Sequence, residues 1–544
     1  MIKIYQLLMT VSFIFLLIIA GNAQFDSASV ILPLNTGRSM MFGQDIVIRN
    51  LPNQDQQNAA ICSAPNGWLY NTYCFDSLGV HYAVIMRSKD NGYTWQLLKN
   101  IKYTGDSFIQ RKLDIIVTGT SDTNQKLFFI SLIRPVSWNG EIIDFLRFKC
   151  DPFTLEAGML YEETQGSHDI AIAMDNDYPA AGSSPGSIGL LYSKSGIKDS
   201  LIFLSSGDGG QTFNNRRVVT VSTNKIHKVS LTFGRSASQN TGRYYAAWEE
   251  DASSAATLGN ILTAHTTSNF TSPFTTPKKF SIMDPTLTNL CRNPKIACQA
   301  NNIDNDSTDL SEVILFEKYN DATHDYDITG FYNKKAANGT SFTRLNVAST
   351  ANNEIQPDIL FNPNDSNFMV TYYDSTNQKL PLLKKNLNME NPNVWNIISP
   401  GYNDSYNLST PNPKVSINLG LKQCVTVWTS NSADGKGVTM FDASYIPAVG
   451  IDEAGGFEQV HQVTTWPNPC TTAFQVSFEL TRTESVNIKL YNLFGQPVGI
   501  NTEQIFKMGL HVVRYDISAL PAGTYLCTLS SNTMKSSSKI LIIK

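Results

Sequence analysis

A unit of about 59 residues recurs seven times through the middle of this 544-residue chain. Each copy begins with a short β-rich strand and continues, after a turn, with a strand of strongly apolar or aromatic character. The first strands begin near Asn58, Lys112, His168, His227, Pro294, Pro357 and Pro413. The second strands include Trp68-Leu69-Tyr70, Leu127–Ile130, Ile188–Tyr192, Tyr244–Trp248, Val313–Phe316, Met369–Tyr373 and Val425–Trp428. A fixed period of this length is typical of proteins built from stacked or radially arranged copies of one supersecondary unit.

A second motif, S-x-D-x-G-x-T-[W/F], is in register with the repeat and occurs twice, 118 residues or two periods apart. Its positions are Ser88, Asp90, Gly92, Thr94 and Trp95 in one copy and Ser206, Asp208, Gly210, Thr212 and Phe213 in the other. It resembles the Asp box of sialidase-like β-propellers. Asp and Ser/Thr side chains can hydrogen-bond a turn's own backbone, glycine adopts positive φ, and the aromatic packs between sheets. We therefore expect these ten residues to be structural, on the outer part of the blades.

The repeat and the box resemblance together predict an all-β fold with a seven-bladed β-propeller over residues 24–446. Four strands per unit, arranged radially, leave only short protected sheet edges. Six blades, the usual number in sialidases, is the alternative. The last unit, from Pro413 to about Ile446, has room for roughly three strands. An early segment, Ser29–Leu34 or Gln44–Ile48, should therefore complete it and close the ring.

The C-terminal 80 or so residues carry an ordered series of motifs: Trp466-Pro467-Asn468-Pro469, Leu490–Gln496, Asp516–Tyr525 and the basic-capped apolar end Lys539–Lys544. The series resembles the C-terminal sorting domain of type IX secretion cargo. Alternating apolar residues predict a small Ig-like β-sandwich over residues 459–544, after a flexible linker at 447–458. The resemblance implies that the type IX machinery is a partner, and that the protein is secreted or held on the outer surface of a Gram-negative bacterium.

The N-terminus agrees with export through the periplasm. Lys3, the apolar run Leu7–Ala20 and the small residues Gly21-Asn22-Ala23 predict a signal peptide over residues 1–23. No later segment is long and apolar enough to predict a transmembrane span in the mature chain. The formal charge of −4 and pI near 6.0 provide no basic surface for nucleic acid.

Cofactor signals are weak. The eight cysteines include no CxxC pair, so no zinc site is predicted. Disulfides between Cys62 and Cys74 and between Cys470 and Cys527 are one alternative, and buried free thiols are the other. The acidic stretch Asp304–Glu312 has oxygen ligands for calcium but lacks the glycine and spacing of an EF-hand loop, so a solvated turn is expected. We predict no cofactor and no metal.

Sialidases need an arginine cluster, a Tyr/Glu pair and an acidic residue, and the family has an Arg-Ile-Pro type motif near the start of its catalytic domain. That motif is absent from the corresponding region here, around Arg38. Arg38, Arg111 and Arg292 could form a triad, with Glu317 and a tyrosine (Tyr319, Tyr372 or Tyr373) as partners, but a chain of this size offers many such sets. The sequence therefore leans away from an enzyme.

Propellers bind ligands where their first strands open onto the central channel, because side chains from all blades converge there. The ligand-binding candidates near those strand starts are Arg111, Lys112, Asp114, His168, Asp169, His227, Lys228, Arg292, Lys295, Asp358 and Lys414. Two histidines alone do not make a metal site. The leading hypothesis is an exported propeller that binds glycan or protein at the channel face. The alternatives are an exo-sialidase or other propeller-type glycoside hydrolase, and a structural or adhesive surface component.

Overall fold

The computed structural model describes residues 42–444 and 464–544, apart from short stretches within them, the longest of which are 176–186, 235–241, 252–258 and 300–310. The predicted signal peptide (1–23), the closure segment 29–34 and the linker (447–458) lie outside the described residues. The chain divides into two compact units, residues 1–446 and 447–544. Each unit is described by itself.

The first unit consists of antiparallel strands grouped into seven blades, numbered in chain order. Blades 1 to 3 contain β2 (Asp55–Ser63), β3 (Leu69–Ser77), β4 (Val80–Ser88), β5 (Gln96–Tyr103), β6 (Phe108–Thr118), β7 (Lys126–Pro135), β8 (Glu141–Cys150), β9 (Phe153–Glu163), β10 (Ser167–Met174), β11 (Ile188–Lys194), β12 (Asp199–Ser206) and β13 (Asn215–Ser222). Blades 4 and 5 contain β14 (Ile226–Gly234), β15 (Arg243–Asp251), β16 (Gly259–His265), β17 (Lys278–Lys279), β18 (Cys291–Cys298), β19 (Glu312–Asn320), β20 (Asp325–Asn333) and β21 (Thr343–Ala348). Blades 6 and 7 contain β22 (Glu354–Asn362), β23 (Asn367–Asp374), β24 (Leu382–Asn386), β25 (Asn396–Ser399), β26 (Lys414–Asn418), β27 (Gln423–Asn431) and β28 (Gly437–Ala443), and β1 (Ile46–Val47) joins blade 7.

The blades close into a ring. Their innermost strands are β2, β6, β10, β14, β18, β22 and β26, and each contacts the innermost strand of the next blade, with β26 contacting β2. Blade 7 draws its outermost strand from the other end of the unit, because β1 pairs antiparallel with β28. The seven-bladed propeller is therefore confirmed. Of the two closure segments that the sequence offered, Gln44–Ile48 contains the strand that completes blade 7.

The second strand of each blade is buried along most of its length because both of its faces are covered by neighbouring blades. Among the described residues of this unit, the buried side chains form seven hydrophobic clusters, one between each pair of adjacent blades. Trp248 and Trp428, on the second strands of blades 4 and 7, are fully buried in two of these clusters. The core is thus divided into seven wedges, and the ring can leave its centre open.

The two box motifs form the same turn between the third and fourth strands of blades 1 and 3. In each, the serine hydroxyl donates to an aspartate oxygen, and the aspartate accepts from the threonine backbone N–H and hydroxyl. Gly92 has φ +91°, and a Cβ at this position would lie 2.0 Å from the Phe441 ring. Trp95 packs edge-on against Phe441 with ring centroids 5.3 Å apart. In blade 3, a Cβ at Gly210 would lie 2.5 Å from the Phe128 ring of blade 2. Each box turn therefore packs against the blade that precedes its own.

Blades 4 and 5 are linked by a short helix, Phe280–Met283, and a 3₁₀ turn, Pro285–Leu287. Phe280 is buried and stacks on Phe331, with ring centroids 4.4 Å apart. Within the described part of the chain, no helix has the length and apolarity needed to cross a membrane. All eight cysteines are free thiols, and every one except Cys62 is buried, so neither of the suggested disulfides is formed.

The second unit contains β29 (Thr464–Trp466), β30 (Ala473–Leu480), β31 (Glu484–Tyr491), β32 (Pro497–Phe506), β33 (Gly509–Asp516), β34 (Gly523–Ser531) and β35 (Lys535–Ile542). They form two antiparallel sheets, β29-β30-β33 and β32-β31-β34-β35. Along β31 buried residues alternate with half-buried ones, as expected for a strand with one face on a core. The buried cluster of the second unit is composed of residues of that unit alone.

Candidate functional site

The innermost strands share a local distortion near their first residues. The pairing of β2, β6, β10, β14, β18 and β22 with the following strand shifts register there, which is a β-bulge. Four bulge residues have left-handed backbone conformations with φ between 51° and 55°: Asn58, Lys228, Asn293 and Gln356. Asn412, two residues before β26, has the same kind of conformation, with φ 43°. A bulge residue does not use its N–H in the regular ladder. In blades 5 and 6 this N–H donates to a side chain of the preceding blade, as does the Asn412 N–H in blade 7.

Immediately after the bulge, or at the first residue of β26 in blade 7, each blade presents one residue to the channel. We call this set the channel ring: Ala60, Lys112, Asp169, Ser230, Lys295, Asp358 and Lys414. All seven line a central cavity of about 1090 Å³, which receives side chains from every blade. The ring therefore contains three lysines and two aspartates.

The two aspartates of the channel ring join neighbouring blades. Asp169 Oδ1 lies 2.8 Å from Lys112 Nζ, and its Oδ2 accepts from the Val229 N–H at 2.8 Å. Asp358 repeats the arrangement, with Lys414 Nζ at 3.2 Å and the Val415 N–H at 3.1 Å. Burial alone would raise the pKa of Asp169, but the charges of Lys112, Lys228 and Lys295 outweigh it and hold the pKa below its usual value. Two of the three ring lysines are therefore neutralised by ion pairs.

Lys295 is the third lysine, and it forms no ion pair among the described residues. It shares a hydrogen bond with Lys414, and the charge of Lys112 also acts on it. Burial and these two positive charges lower the pKa of Lys295 to about 7. Burial would also lower the pKa of Lys414, but Asp358 and Asp114 raise it above its usual value. The channel ring thus has a surplus of positive charge centred on Lys295.

Asp114 lies two residues further along β6 and also lines the cavity. Its Oδ1 accepts from the N–H of Ile115 at 2.9 Å. Burial raises its pKa, although Lys112 and Lys414 oppose the shift. A raised pKa favours the neutral carboxyl group, so Asp114 offsets less of the positive charge of the ring lysines than an ordinary aspartate would.

Arg292 lies outside the described lining of the cavity. Its Nε donates to Glu317 Oε2 at 2.6 Å, and its guanidinium lies 3.8 Å from the centroid of the Tyr326 ring. Glu317 is buried, and its Oε1 also accepts from the Gln356 N–H and from Asn293 Nδ2, both at 2.8 Å. Arg292 therefore neutralises a carboxylate that ties blade 5 to blade 6.

His227 lines the cavity at the start of β14. Its Nε2 lies 2.6 Å from Asp251 Oδ1 and 3.9 Å from Glu249 Oε1, and both carboxylates are buried. Burial raises the pKa of Glu249, although the Asn293 N–H and the charges of His227 and Lys228 oppose the shift. The sequence did not single out Glu249 or Asp251. The available signal was the acidic run Glu249-Glu250-Asp251 at the end of a strand, whose first and third members leave the same face.

The remaining predicted candidates have mixed outcomes. Besides His227, the cavity lining brings together seven of the predicted residues: Lys112, Asp114, Asp169, Lys228, Lys295, Asp358 and Lys414. Arg111 and His168 lie in strands, but their side chains are outside the described residues, as is most of the acidic stretch suggested for calcium. Its last residue, Glu312, is buried and accepts a hydrogen bond from Asn333.

Comparison with known proteins identifies the tail. Residues 464–544 match the family model described as secretion system C-terminal sorting domain. The type IX sorting domain predicted from the tail motifs is therefore confirmed, and such a domain marks a protein for export to the cell surface or for secretion. No curated protein matches the chain.

Several solved structures resemble the chain at low identity. An α-L-arabinofuranosidase, arb93a, from Fusarium graminearum is 11% identical with a TM-score of 0.39, over 74% of this chain and 97% of that one. The NanB sialidase from Streptococcus pneumoniae is 8% identical with a TM-score of 0.38, over 63% and 68%. The polysaccharide lyase Uly1 is 8% identical with a TM-score of 0.39, over 77% and 96%. Similarity at this level carries no argument about chemistry, and the propeller assignment rests on the strand order described above.

Proposed function

We propose that this protein is an exported β-propeller that binds a carboxylate-bearing glycan in its central channel. The observation that supports it is Lys295, a channel-ring lysine with no carboxylate partner among the described residues, beside Lys414 and under the charge of Lys112. Lys112 and Lys414 are paired with aspartates, but their charges still act on Lys295, and an anion beside Lys295 would offset that repulsion. A carboxylate ligand would therefore complete the charge pattern of the channel ring.

The shape of the cavity favours a small saccharide over a protein partner. A channel cavity of about 1090 Å³ accommodates a ligand of a few sugar units, whereas protein partners need a broad exposed surface. Hydroxyl and amide groups also line it, among them Asn58, Asn293, Asn412, Ser230, Thr232 and Ser416. Such groups hydrogen-bond sugar hydroxyls.

Export supports an extracellular ligand. We propose that residues 1–23 are removed as a signal peptide, that the chain then crosses the periplasm, and that the sorting domain delivers it to the outer surface or the medium. A sialidase-type hydrolase is not favoured by any described group, because Arg292 is engaged with Glu317 and Tyr326. It remains an outcome of the test.

The test is binding of the chain from Gln24 onwards to an array of neutral and acidic oligosaccharides, followed by titration calorimetry with the best ligand. We expect acidic glycans to bind and Lys295→Met to weaken binding at least tenfold. The exposed Lys198 lies in a turn between strands of blade 3, so Lys198→Met is the matched control and should bind as the unmodified protein does. Lys295 is buried beside the positive charges of Lys414 and Lys112, so its replacement should not destabilise the fold. Loss of binding in Lys295→Met would then show that Lys295 contacts the ligand.

Ligand affinity should also depend on pH. The pKa of Lys295 lies at about 7 in the free protein, so above that pH an anion that requires its charge must take up a proton as it binds. Affinity should therefore fall between pH 6 and pH 8.5, by up to about tenfold per unit above pH 7. Equal binding of neutral glycans, or unchanged affinity in Lys295→Met, would refute the proposal. Cleavage of a fluorogenic sialoside would establish the hydrolase instead.

A further inference from the structure

A group of three metal-ligating side chains lies on blade 4, separate from the lysines of the channel ring. His227 Nε2 and one oxygen each of Glu249 and Asp251 lie within 4.8 Å of one another. Both carboxylates are almost fully buried, with side chains 5% and 6% exposed, whereas His227 is 30% exposed and faces the cavity. The arrangement is a pocket with a buried acidic floor and an imidazole at its opening.

The strand geometry sets this arrangement. Glu249 and Asp251 are two residues apart on β15, so their side chains leave the same face of the strand. His227 is the residue of β14 directly opposite Glu249. The Asn293 N–H of blade 5 donates to Glu249 Oε2 at 2.9 Å and fixes that carboxylate. The ligands are thus held by paired strands of one blade and by a backbone group of the next.

Blade 5 provides an internal comparison. Glu317 occupies the position of Glu249, and Arg292 and Tyr319 occupy those of His227 and Asp251. There the arginine neutralises the glutamate, which uses both oxygens in hydrogen bonds. In blade 4 the arginine is replaced by histidine, and the tyrosine by a second carboxylate. One glutamate is enough for the hydrogen bond between adjacent blades, as Glu317 shows. That hydrogen bond therefore does not explain the second carboxylate of blade 4, Asp251.

The charge of this group is poorly compensated within the described structure. Glu249 Oε1 has no hydrogen-bond partner among the described residues; His227 Nε2 lies 3.9 Å away, and the charge of Lys228 acts on this carboxylate without forming an ion pair. No lysine or arginine of the described chain forms an ion pair with Glu249 or Asp251. Two buried carboxylates with one imidazole between them are stabilised by a divalent cation more than by a single proton.

We propose that His227, Glu249 and Asp251 bind a divalent transition-metal ion of the zinc class through one imidazole nitrogen and two carboxylate oxygens. The imidazole ligand favours a transition metal such as zinc over calcium and magnesium, which prefer oxygen ligands alone. Tetrahedral zinc ligands at about 2.0–2.2 Å from the metal lie about 3.3–3.6 Å apart. His227 Nε2 is 2.6 Å from Asp251 Oδ1 and 3.9 Å from Glu249 Oε1, so zinc binding requires side-chain rotations that separate the first pair. Three protein ligands leave a coordination position on the side of the cavity, where water or a channel ligand would bind.

The test uses the whole, untagged chain from Gln24, stripped of metal with a chelator and titrated calorimetrically with Zn²⁺, Mn²⁺ and Ca²⁺. We expect one saturable Zn²⁺ site and little response to Ca²⁺. Glu249→Gln and Asp251→Asn preserve side-chain shape, and each should weaken Zn²⁺ binding at least tenfold, as should His227→Ala. The matched control is His81→Ala, because His81 pairs with a single carboxylate, Asp76, and should leave Zn²⁺ affinity unchanged.

Cobalt(II) binding separates this site from the eight free thiols, because a nitrogen and oxygen ligand set gives d–d absorption without a thiolate charge-transfer band. Circular dichroism of the metal-free variants shows whether they are folded. Absence of a saturable site, a thiolate band, or unchanged affinity in folded Glu249→Gln would overturn the proposal. Because Lys295→Met does not touch these ligands, loss of glycan binding and loss of metal binding are measured independently.

Discussion

Lys295 and Glu312 are buried or half-buried ionisable residues whose pKa values are shifted towards the neutral form. For Lys295 the causes are burial and two other lysines. For Glu312, at the start of β19, burial raises the pKa to about 8, while Asn333 and Lys278 oppose the shift. Its Oε2 has no hydrogen-bond partner in the described structure. The sequence located both residues in the repeat, but it could not show which charges from other blades surround them.

Replacement of Glu312 should change how stability depends on pH. The carboxyl stays protonated in the folded protein up to about pH 8 but ionises near pH 4.5 once unfolded. Its contribution to stability is therefore complete below pH 4.5 and is lost as the pH rises towards 8. Glu312→Gln keeps the shape and cannot ionise, so it should be more stable than the original above pH 7, by a few kcal/mol at most.

The measurement is denaturant unfolding of both proteins at pH 5 and pH 8.5. The stability difference should grow with pH, favouring Glu312→Gln. Asp321 is exposed on a turn of the same blade, and Asp321→Asn provides the control for loss of a carboxylate without burial. A difference independent of pH would show that Glu312 is ionised in the folded protein.

At the scale of strands and blades, the ring depends on the contact between the first inner strand and the last blade. Gln56 of β2 is fully buried, its Oε1 accepts from the Thr439 N–H of β28 at 2.9 Å, and its Nε2 donates to the Arg49 carbonyl at 2.8 Å. β1 is only two residues long, so its two ladder pairs alone give limited closure. Gln56 therefore joins blade 1, blade 7 and the N-terminal segment.

Gln56→Ala should lower the free energy of unfolding by about 1–3 kcal/mol, because it leaves a buried N–H and a carbonyl without partners. Gln57 is the adjacent residue, and its exposed side chain donates to the carboxylate of the exposed Asp55, so Gln57→Ala should cost less than about 0.5 kcal/mol. Equilibrium unfolding in guanidinium chloride measures both. Equal stability of the two variants would show that Gln56 contributes nothing to closure.

At the scale of the molecule, the two units have separate cores, since the buried cluster of the sorting unit contains only its own residues. Deleting residues 459–544 should therefore block export while the propeller retains its unfolding midpoint. Fractionation of cells producing the truncated chain should find it inside the outer membrane, with the full chain at the surface or in the medium. Arrival of the truncated chain outside the cell would show that another segment directs export.

The sequence by itself determined the features that are written in local, repeated patterns: the second strands, the sevenfold repeat and the sorting motifs. These patterns survive because each second strand must be buried on two faces and each blade has the same contacts with its neighbours.

The tertiary structure alone decided the chemistry of the channel. The bulges change which residue of each inner strand reaches the cavity, so Lys295 meets Lys112 and Lys414, from strands far apart in the chain. Likewise Arg292, predicted to face the channel, is held at Glu317 and Tyr326, and His227 meets Glu249 and Asp251 only when two strands pair. Charge and pKa depend on distances between such segments, which local sequence does not encode.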